Sequence, residues 1–326
     1  MSAMSAQFSP WQQRAYDQTV AALDAERLGH GLLICGPAGL GKRQLALRLA
    51  THVLDHGADA AARVRNAQLI AAGTHPDLQL VSFIPNRSGD KLRTEIVIEQ
   101  VREVSQKLAL TPQYGVAQVV IIDPADAINR SACNALLKTL EEPSPGRYLW
   151  LLSAEPARLP ATIRSRCQRL ELKLPPRQEA LDWLRAQGFA AAAAEEALEA
   201  ARGHPGLAAE WLRDDGLAVR RQVQADLEQL AGGRAGAVEV AQRWTGDERA
   251  DARLRHAADL VLAQASSGLT DPARLHKLAT WFDAANRTRD LLRTTVRADL
   301  AVAELLLAWR DGDRQARVPV RKGETR

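Results

Sequence analysis

The residues most able to do chemistry lie in one short loop. Gly36-Pro37-Ala38-Gly39-Leu40-Gly41-Lys42 fits the pattern GxxxxGK. Glycines at that spacing let backbone N–H groups curl around phosphate oxygens, and the lysine adds a positive charge. The loop follows the apolar run GLLIC and opens a helical stretch from Lys42 to Leu54, the context a phosphate cradle needs. A strand-to-helix turn with no ligand would look the same, so binding of ATP or ADP stays open on these residues. The next position is unusual. A hydrolysing loop of this type carries Ser or Thr, whose hydroxyl binds Mg²⁺, whereas this chain has Arg43. A guanidinium has no lone pair to offer a cation. It would either swing away or sit near the metal position and repel the metal.

A second half-site lies downstream. The uninterrupted run AQVVIID reads as a buried parallel strand ending at Asp123, a carboxylate placed to hold a metal. Where an ATPase places a water-polarising Glu, this chain has Pro124. Losing a general base costs about 10²–10⁴-fold in rate. Asp126 lies three residues on and is expected to point elsewhere. With the hydroxyl and the base both absent, no intrinsic ATPase is expected.

The elements around these residues alternate. A helix over residues 11–28 precedes the loop. Strand patterns follow in LQLVSFI, AQVVIID, YLWLLSA and QRLELKL, where Leu170, Leu172 and Leu174 alternate. Ile98, Val101, Val104 and Leu108 predict a helix over 96–110. Ser131 is placed to cap another, which Pro143 stops. This is an α/β P-loop domain with a parallel sheet, over residues 1–175. After Pro175-Pro176 strand signals vanish. Residues 190–202 read as a surface helix, and Gly203 with Pro205-Gly206 punctuates the end of a small helical lid, 176–215. An all-α domain over 216–326 follows, broken at Gly232-Gly233 and Ser266-Ser267-Gly268, with Val296, Leu300, Ala303 and Leu307 on one stripe of its last helix.

Composition sets outer bounds. The 326 residues carry 43 Lys and Arg against 39 Asp and Glu, a net +4, with 46% hydrophobic and 25% charged residues. That excludes a disordered or collagen-like chain. It gives no clustered basic face that would by itself predict nucleic-acid binding. Cys35, Cys133 and Cys167 are far apart and form no CxxC, so neither a disulfide scaffold nor a cysteine zinc site is expected. No secretory leader and no apolar run of membrane-spanning length is visible, which points to the cytoplasm.

Several segments agree with one family. NALLKTLEEP contains Thr139-Leu140-Glu141-Glu142-Pro143, LPATIRSRCQRL contains Ser165-Arg166-Cys167, and Gly73-Thr74-His75-Pro76-Asp77 precedes both. With the altered P-loop, the chain resembles the delta-prime family of bacterial DNA polymerase III clamp-loader subunits, closely over residues 28–175 and less so beyond. The resemblance implies an AAA+ domain, a helical lid and a helical collar. Through the collar, subunits assemble with motor and delta subunits into a five-membered ring that loads a sliding clamp onto primed DNA. It implies that Arg166 of the Ser165-Arg166-Cys167 motif projects into a neighbour's ATP site, where a planar, always-charged fork suits phosphate oxygens.

Departures from the family pattern matter too. Many relatives carry four zinc-binding cysteines before the GTHPD stretch. Here that segment has none, and His52 and His56 alone do not make a site, so no zinc is expected. Motor subunits present a lid arginine where this chain has Gly206, which removes a third nucleotide contact. Two other readings compete. One is an ATP-hydrolysing motor subunit, favoured by Lys42 and Asp123. The other is a direct DNA-binding protein, favoured only by Arg164, Arg166, Arg169 and the tail residues Arg314, Arg317, Arg321 and Lys322.

Overall fold

The computed structural model describes residues 8–86, 89, 92–266, 271–292, 294 and 296–317, with side chains through residue 310. The chain divides into two compact units, Met1–Ala209 and Glu210–Arg326.

The first unit begins with α1 (Pro10–Asp24), β1 (Gly31–Cys35), α2 (Lys42–Leu54), α3 (Ala60–Ala72) and β2 (Leu78–Val81). It continues with α4 (Ile98–Leu108), β3 (Gln118–Ile122), α5 (Arg130–Glu141), β4 (Arg147–Ser153), α6 (Ala161–Arg164) and β5 (Gln168–Glu171). Helices α7 (Arg177–Ala186) and α8 (Ala191–Ala200) follow, and α9 (Pro205–Arg213) runs through the division. The five strands are all parallel, in the order β2-β3-β4-β1-β5. This is the AAA+ arrangement that the resemblance implies.

Strand alternation sorts β1 onto two cores. Leu32 and Ile34 meet Leu45 and Leu49 of α2, while Leu33 and Cys35 face Val101 of α4 and Leu136 of α5. Covering both faces is why β1 and β3 read as unbroken apolar runs, and each fully buried Leu or Ile contributes about 1.5–3 kcal/mol.

Three local expectations need correction, and one helix goes unannounced. Helix α5 is capped by Asn129, whose Oδ1 accepts the Ala132 amide at 3.0 Å; Ser131 already has helical geometry and cannot serve as the cap. Strand β5 stops at Glu171, and Leu174 is exposed beyond it. Helix α8 is no mere surface helix, because Ala194, Ala197 and Leu198 are buried. Helix α3 has no apolar stripe to announce it. Only Asn66 and Ile70 are buried along its length.

The second unit holds α10 (Gly216–Ala231), α11 (Ala237–Thr245), α12 (Ala250–Ser266), α13 (Pro272–Leu291) and α14 (Ala298–Arg317). Its core includes Leu227, Leu230, Val240, Trp244, Leu254, Trp281, Val302 and Leu306. Buried Asp226 accepts hydrogen bonds from Trp244 Nε1 (2.8 Å), Arg243 Nη2 (2.7 Å) and Gln222 Nε2 (2.9 Å), so its charge is fully satisfied. The chain breaks after α10 at Gly232-Gly233, as expected; Ser267 and Gly268 lie outside the described residues. The stripe on α14 faces out. Val296, expected on this helix, precedes its start at Ala298 and is 49% exposed; Leu300 and Leu307 are 58% and 36% exposed, and the core is filled instead by Val302, Leu305 and Leu306, with only Ala303 shared. Among the described residues, no helix is long and apolar enough to cross a membrane.

Candidate functional site

The phosphate loop leaves the end of β1, where the Gly36 amide donates to the Ser153 carbonyl of β4 at 3.2 Å. Gly36, Gly39 and Gly41 have φ of +137°, +80° and +82°, the region that L side chains avoid. Helix α1 fastens the loop from outside. Trp11 Nε1 donates to the Leu40 carbonyl (3.2 Å), and Gln12 Nε2 donates to the Gly41 carbonyl (3.0 Å) and to Gln44 Oε1 (2.9 Å). Lys42 Nζ turns back onto the loop, donating to the carbonyls of Gly36 (2.6 Å) and Pro37 (2.9 Å). Burial lowers its pKa. Gly36, Gly39, Gly41 and Lys42 therefore come together as a preformed cradle.

The metal half of the site is closed by a side chain. Arg43 Nε donates to Asp123 Oδ2 at 2.5 Å, so a guanidinium sits on the carboxylate that a P-loop uses for Mg²⁺. Magnesium does not fit this donor set: the position meant for a hydroxyl brings a cation instead. Pro124 follows with no acid–base group. Asp126 is committed elsewhere. Its Oδ1 accepts Ser153 Oγ at 2.5 Å, and its Oδ2 accepts the amides of Ala154 (2.7 Å) and Glu155 (3.3 Å). Both carboxylate oxygens tie the Asp123 loop to the end of β4.

Helix α9 meets the same loop. His204 Nδ1 caps α9 by accepting the Leu207 amide at 3.1 Å. Gly206 then approaches Gly39 so closely that a Cβ at 206 would overlap the Gly39 carbonyl. Any side chain here, arginine included, would have to push the start of α9 away from the loop.

Arg166 lies at the other end of the sheet. It precedes β5, whereas the loop follows β1, and the two strands run parallel. One five-residue strand at 3.3 Å per residue puts the two ends about 16 Å apart. Arg166 Nη1 donates to the Thr162 carbonyl (2.9 Å), and Nη2 pairs with Glu141 Oε1 at 2.7 Å. Its side chain remains 37% exposed. Ser165 Oγ donates to the Thr162 carbonyl at 3.2 Å and closes the turn. Cys167 packs beside Gly31, and burial pushes its thiol up to about 11, which makes it a packing group with no thiolate at neutral pH.

Comparison with known proteins resolves the family. The model described as "DNA polymerase III, delta subunit" matches residues 11–176. The DNA polymerase III subunit delta' of Pseudomonas aeruginosa is 37% identical over 240 residues, covering 72% of this chain and 70% of that protein. The Escherichia coli subunit delta' is 35% identical over 215 residues, covering 65% of this chain and 63% of that protein. The chain belongs to the DNA polymerase III delta' family. Among solved structures, a DNA polymerase III gamma-subunit-related protein from Thermotoga maritima matches with a TM-score of 0.44 and 16% identity, covering 91% of this chain and 99% of that one.

Other family motifs prove to be braces. In the delta' GTHPD stretch, Asp77 is 2% exposed, and its two oxygens accept the amides of Gln113 and Tyr114 at 2.8 Å each. His75 Nδ1 accepts the Asp77 amide at 3.1 Å, Nε2 lies 3.3 Å from Asn66 Oδ1, and burial lowers the imidazole pKa. His52 Nε2 lies 3.1 Å from Asp24. Among the described residues, no three His, Cys, Asp or Glu side chains converge as a metal site. Of the basic residues that favoured DNA binding, Arg169 contacts Glu171 (3.4 Å) and Cys35 Sγ (3.2 Å), and the side chains of Arg314, Arg317, Arg321 and Lys322 lie outside the described residues. Glu141 and Ser153 escaped the sequence reading. Glu141 lay inside a quoted motif, yet nothing in its spacing ties it to a residue 25 positions away.

Proposed function

We propose that this delta' chain is a structural, non-hydrolysing subunit of the clamp-loader complex. It assembles with motor and delta subunits into a five-membered ring in the cytoplasm and supports ATP-dependent loading of the sliding clamp on primed DNA. The regions 1–175, 176–215 and 216–326 serve as AAA+ domain, lid and collar. Its own loop performs no hydrolysis, and the role requires neither zinc nor a resident nucleotide. The carrying observation is the Arg43–Asp123 pair, which puts a fixed cation on the carboxylate where a motor subunit would put magnesium.

The catalytic contribution is made in trans. Arg166 stands about 16 Å from its own loop, at the strand-start edge of the sheet, with part of its guanidinium open to solvent. A charge in that place cannot serve the chain's own phosphates. It suits the phosphates of an adjoining subunit, where an arginine supplied in trans is worth about 10³–10⁵ in rate in GTPases.

Two measurements test this. The isolated chain with ATP and magnesium is expected to release phosphate at background rate; turnover that disappears in Lys42→Ala would establish a motor instead. In the reconstituted complex, Arg166→Ala is expected to leave assembly intact and to lower DNA- and clamp-stimulated ATP hydrolysis. Unchanged hydrolysis would refute the finger.

A further inference from the structure

Three separate stretches of sequence meet at Arg166. Gly31 opens β1, Leu140 and Glu141 end α5, and Arg166 with Cys167 leads into β5. They meet closely: a Cβ on Gly31 would lie 3.0 Å from Leu140 Cδ2 and 3.1 Å from the Arg166 carbonyl oxygen. His30 clamps the same corner, with Nε2 2.9 Å from the Leu140 carbonyl and its own carbonyl accepting the Leu149 amide at 2.8 Å. The backbone on both sides of the Glu141–Arg166 pair is therefore fixed by sheet and helix packing.

The guanidinium is held but not used up. Of its five N–H donors, one on Nη1 goes to the Thr162 carbonyl, while Nη2 stands 2.7 Å from Glu141 Oε1 as an ion pair. Among the described residues, no further acceptor meets the guanidinium. An unrestrained arginine carries considerable rotamer entropy, which a phosphate contact would have to overcome at each encounter. Tethering both terminal nitrogens removes much of that freedom beforehand and leaves donors free.

We propose that Glu141 is the positioning residue of the finger: its carboxylate holds the Arg166 guanidinium in the place and orientation from which it meets a neighbour's triphosphate. This rests on the trans role of Arg166. It assigns a task to a glutamate that touches neither nucleotide nor metal. Glu141 is 48% exposed in its side chain, so solvent screens its charge from an incoming phosphate while the close ion pair, together with the Thr162 bond, still sets the place of the guanidinium.

The experiment uses the assembled clamp loader with its motor subunits and follows ATP hydrolysis in the presence of clamp and primed DNA. Glu141→Ala is expected to lower kcat roughly three- to tenfold with the KM for ATP unchanged, since only transition-state contact is loosened. Glu141→Gln keeps an oxygen acceptor and is expected to recover most of the rate. Glu141→Asp, one methylene too short, is not. In an Arg166→Ala background, Glu141→Ala is expected to change nothing further. A rate equal to or above wild type in Glu141→Ala, a change confined to KM, or an additional loss on top of Arg166→Ala would overturn the assignment. If Arg166→Ala itself has no effect, the finger fails and the positioning role fails with it. If Arg166→Ala collapses hydrolysis while Glu141→Ala does not, only the positioning role fails. Should Glu141→Ala not assemble, the Gln and Asp pair carries the same comparison.

Discussion

Acid should weaken the helical unit through one buried histidine. His256 is 2% exposed on α12, its ring centroid is 4.6 Å from that of Trp211, and its Nδ1 has no hydrogen-bond partner. Burial, reinforced by the positive charges of Arg220 and Arg255, drives its pKa from 6.5 down to about 4. The unfolded chain therefore binds a proton between those values that the folded chain refuses. Stability is complete above about pH 6.5 and falls as pH drops towards 4. At pH 5 the unfolded state gains a factor of about 30 in its proton-binding polynomial and the folded state about 1.1, so the loss is roughly 2 kcal/mol. Asp247, held down to about 2 by Arg253, acts only below its ordinary 3.8 and leaves this window untouched. Urea unfolding of the full chain at pH 7.5 and 5.0, followed by tryptophan fluorescence, measures the difference. His256→Phe is expected to remove about 2 kcal/mol of the acid loss, with His256→Gln as a second variant. Identical acid losses in native and variant chains would refute the reasoning.

Three further outcomes follow from the site. Asp77→Ala strands two part-buried amides that its carboxylate satisfies, and a loss of roughly 1–3 kcal/mol by chemical denaturation is expected. A change below 0.5 kcal/mol would show that water replaces the carboxylate. Gly206→Ala pushes a methyl into the Gly39 carbonyl and should cost about 1–3 kcal/mol, with faster amide exchange in α9 as the local signature. Arg43→Thr restores the missing hydroxyl and breaks a partly exposed pair worth about 1 kcal/mol, so folding should change little. Phosphate release by the isolated variant should still stay at background, because Pro124 supplies no base and Asp126 is tied down. Turnover well above background would show that Arg43 alone silences the loop.

Much of the site was readable because its signals are local. A glycine-rich turn between an apolar run and a helix has few alternatives, and Arg43 and Pro124 each stand where a P-loop ATPase carries a hydroxyl or an acid, whatever surrounds them. Helix α3 was not readable, since only Asn66 and Ile70 are buried on it and no stripe recurs at helical spacing. The α14 stripe was seen and its direction was not. Helical spacing places Leu300 and Leu307 on one face, with Val296 lying before the helix, but a second face carrying Val302, Leu305 and Leu306 is the one that packs.

By itself, the amino-acid order determined which groups are present and which are missing: a phosphate cradle, no metal-binding hydroxyl, no general base, and an arginine in a family motif. Tertiary structure alone decided where those groups point. Arg43 could have swung into solvent, yet the sheet sets α2 beside the end of β3 and brings its guanidinium onto Asp123. Glu141 and Arg166 are distant in the chain and become partners only because α5 and the lead into β5 converge on Gly31. Spacing encodes what happens within one turn or strand. Pairings between elements depend on how buried faces stack, and no local pattern records that.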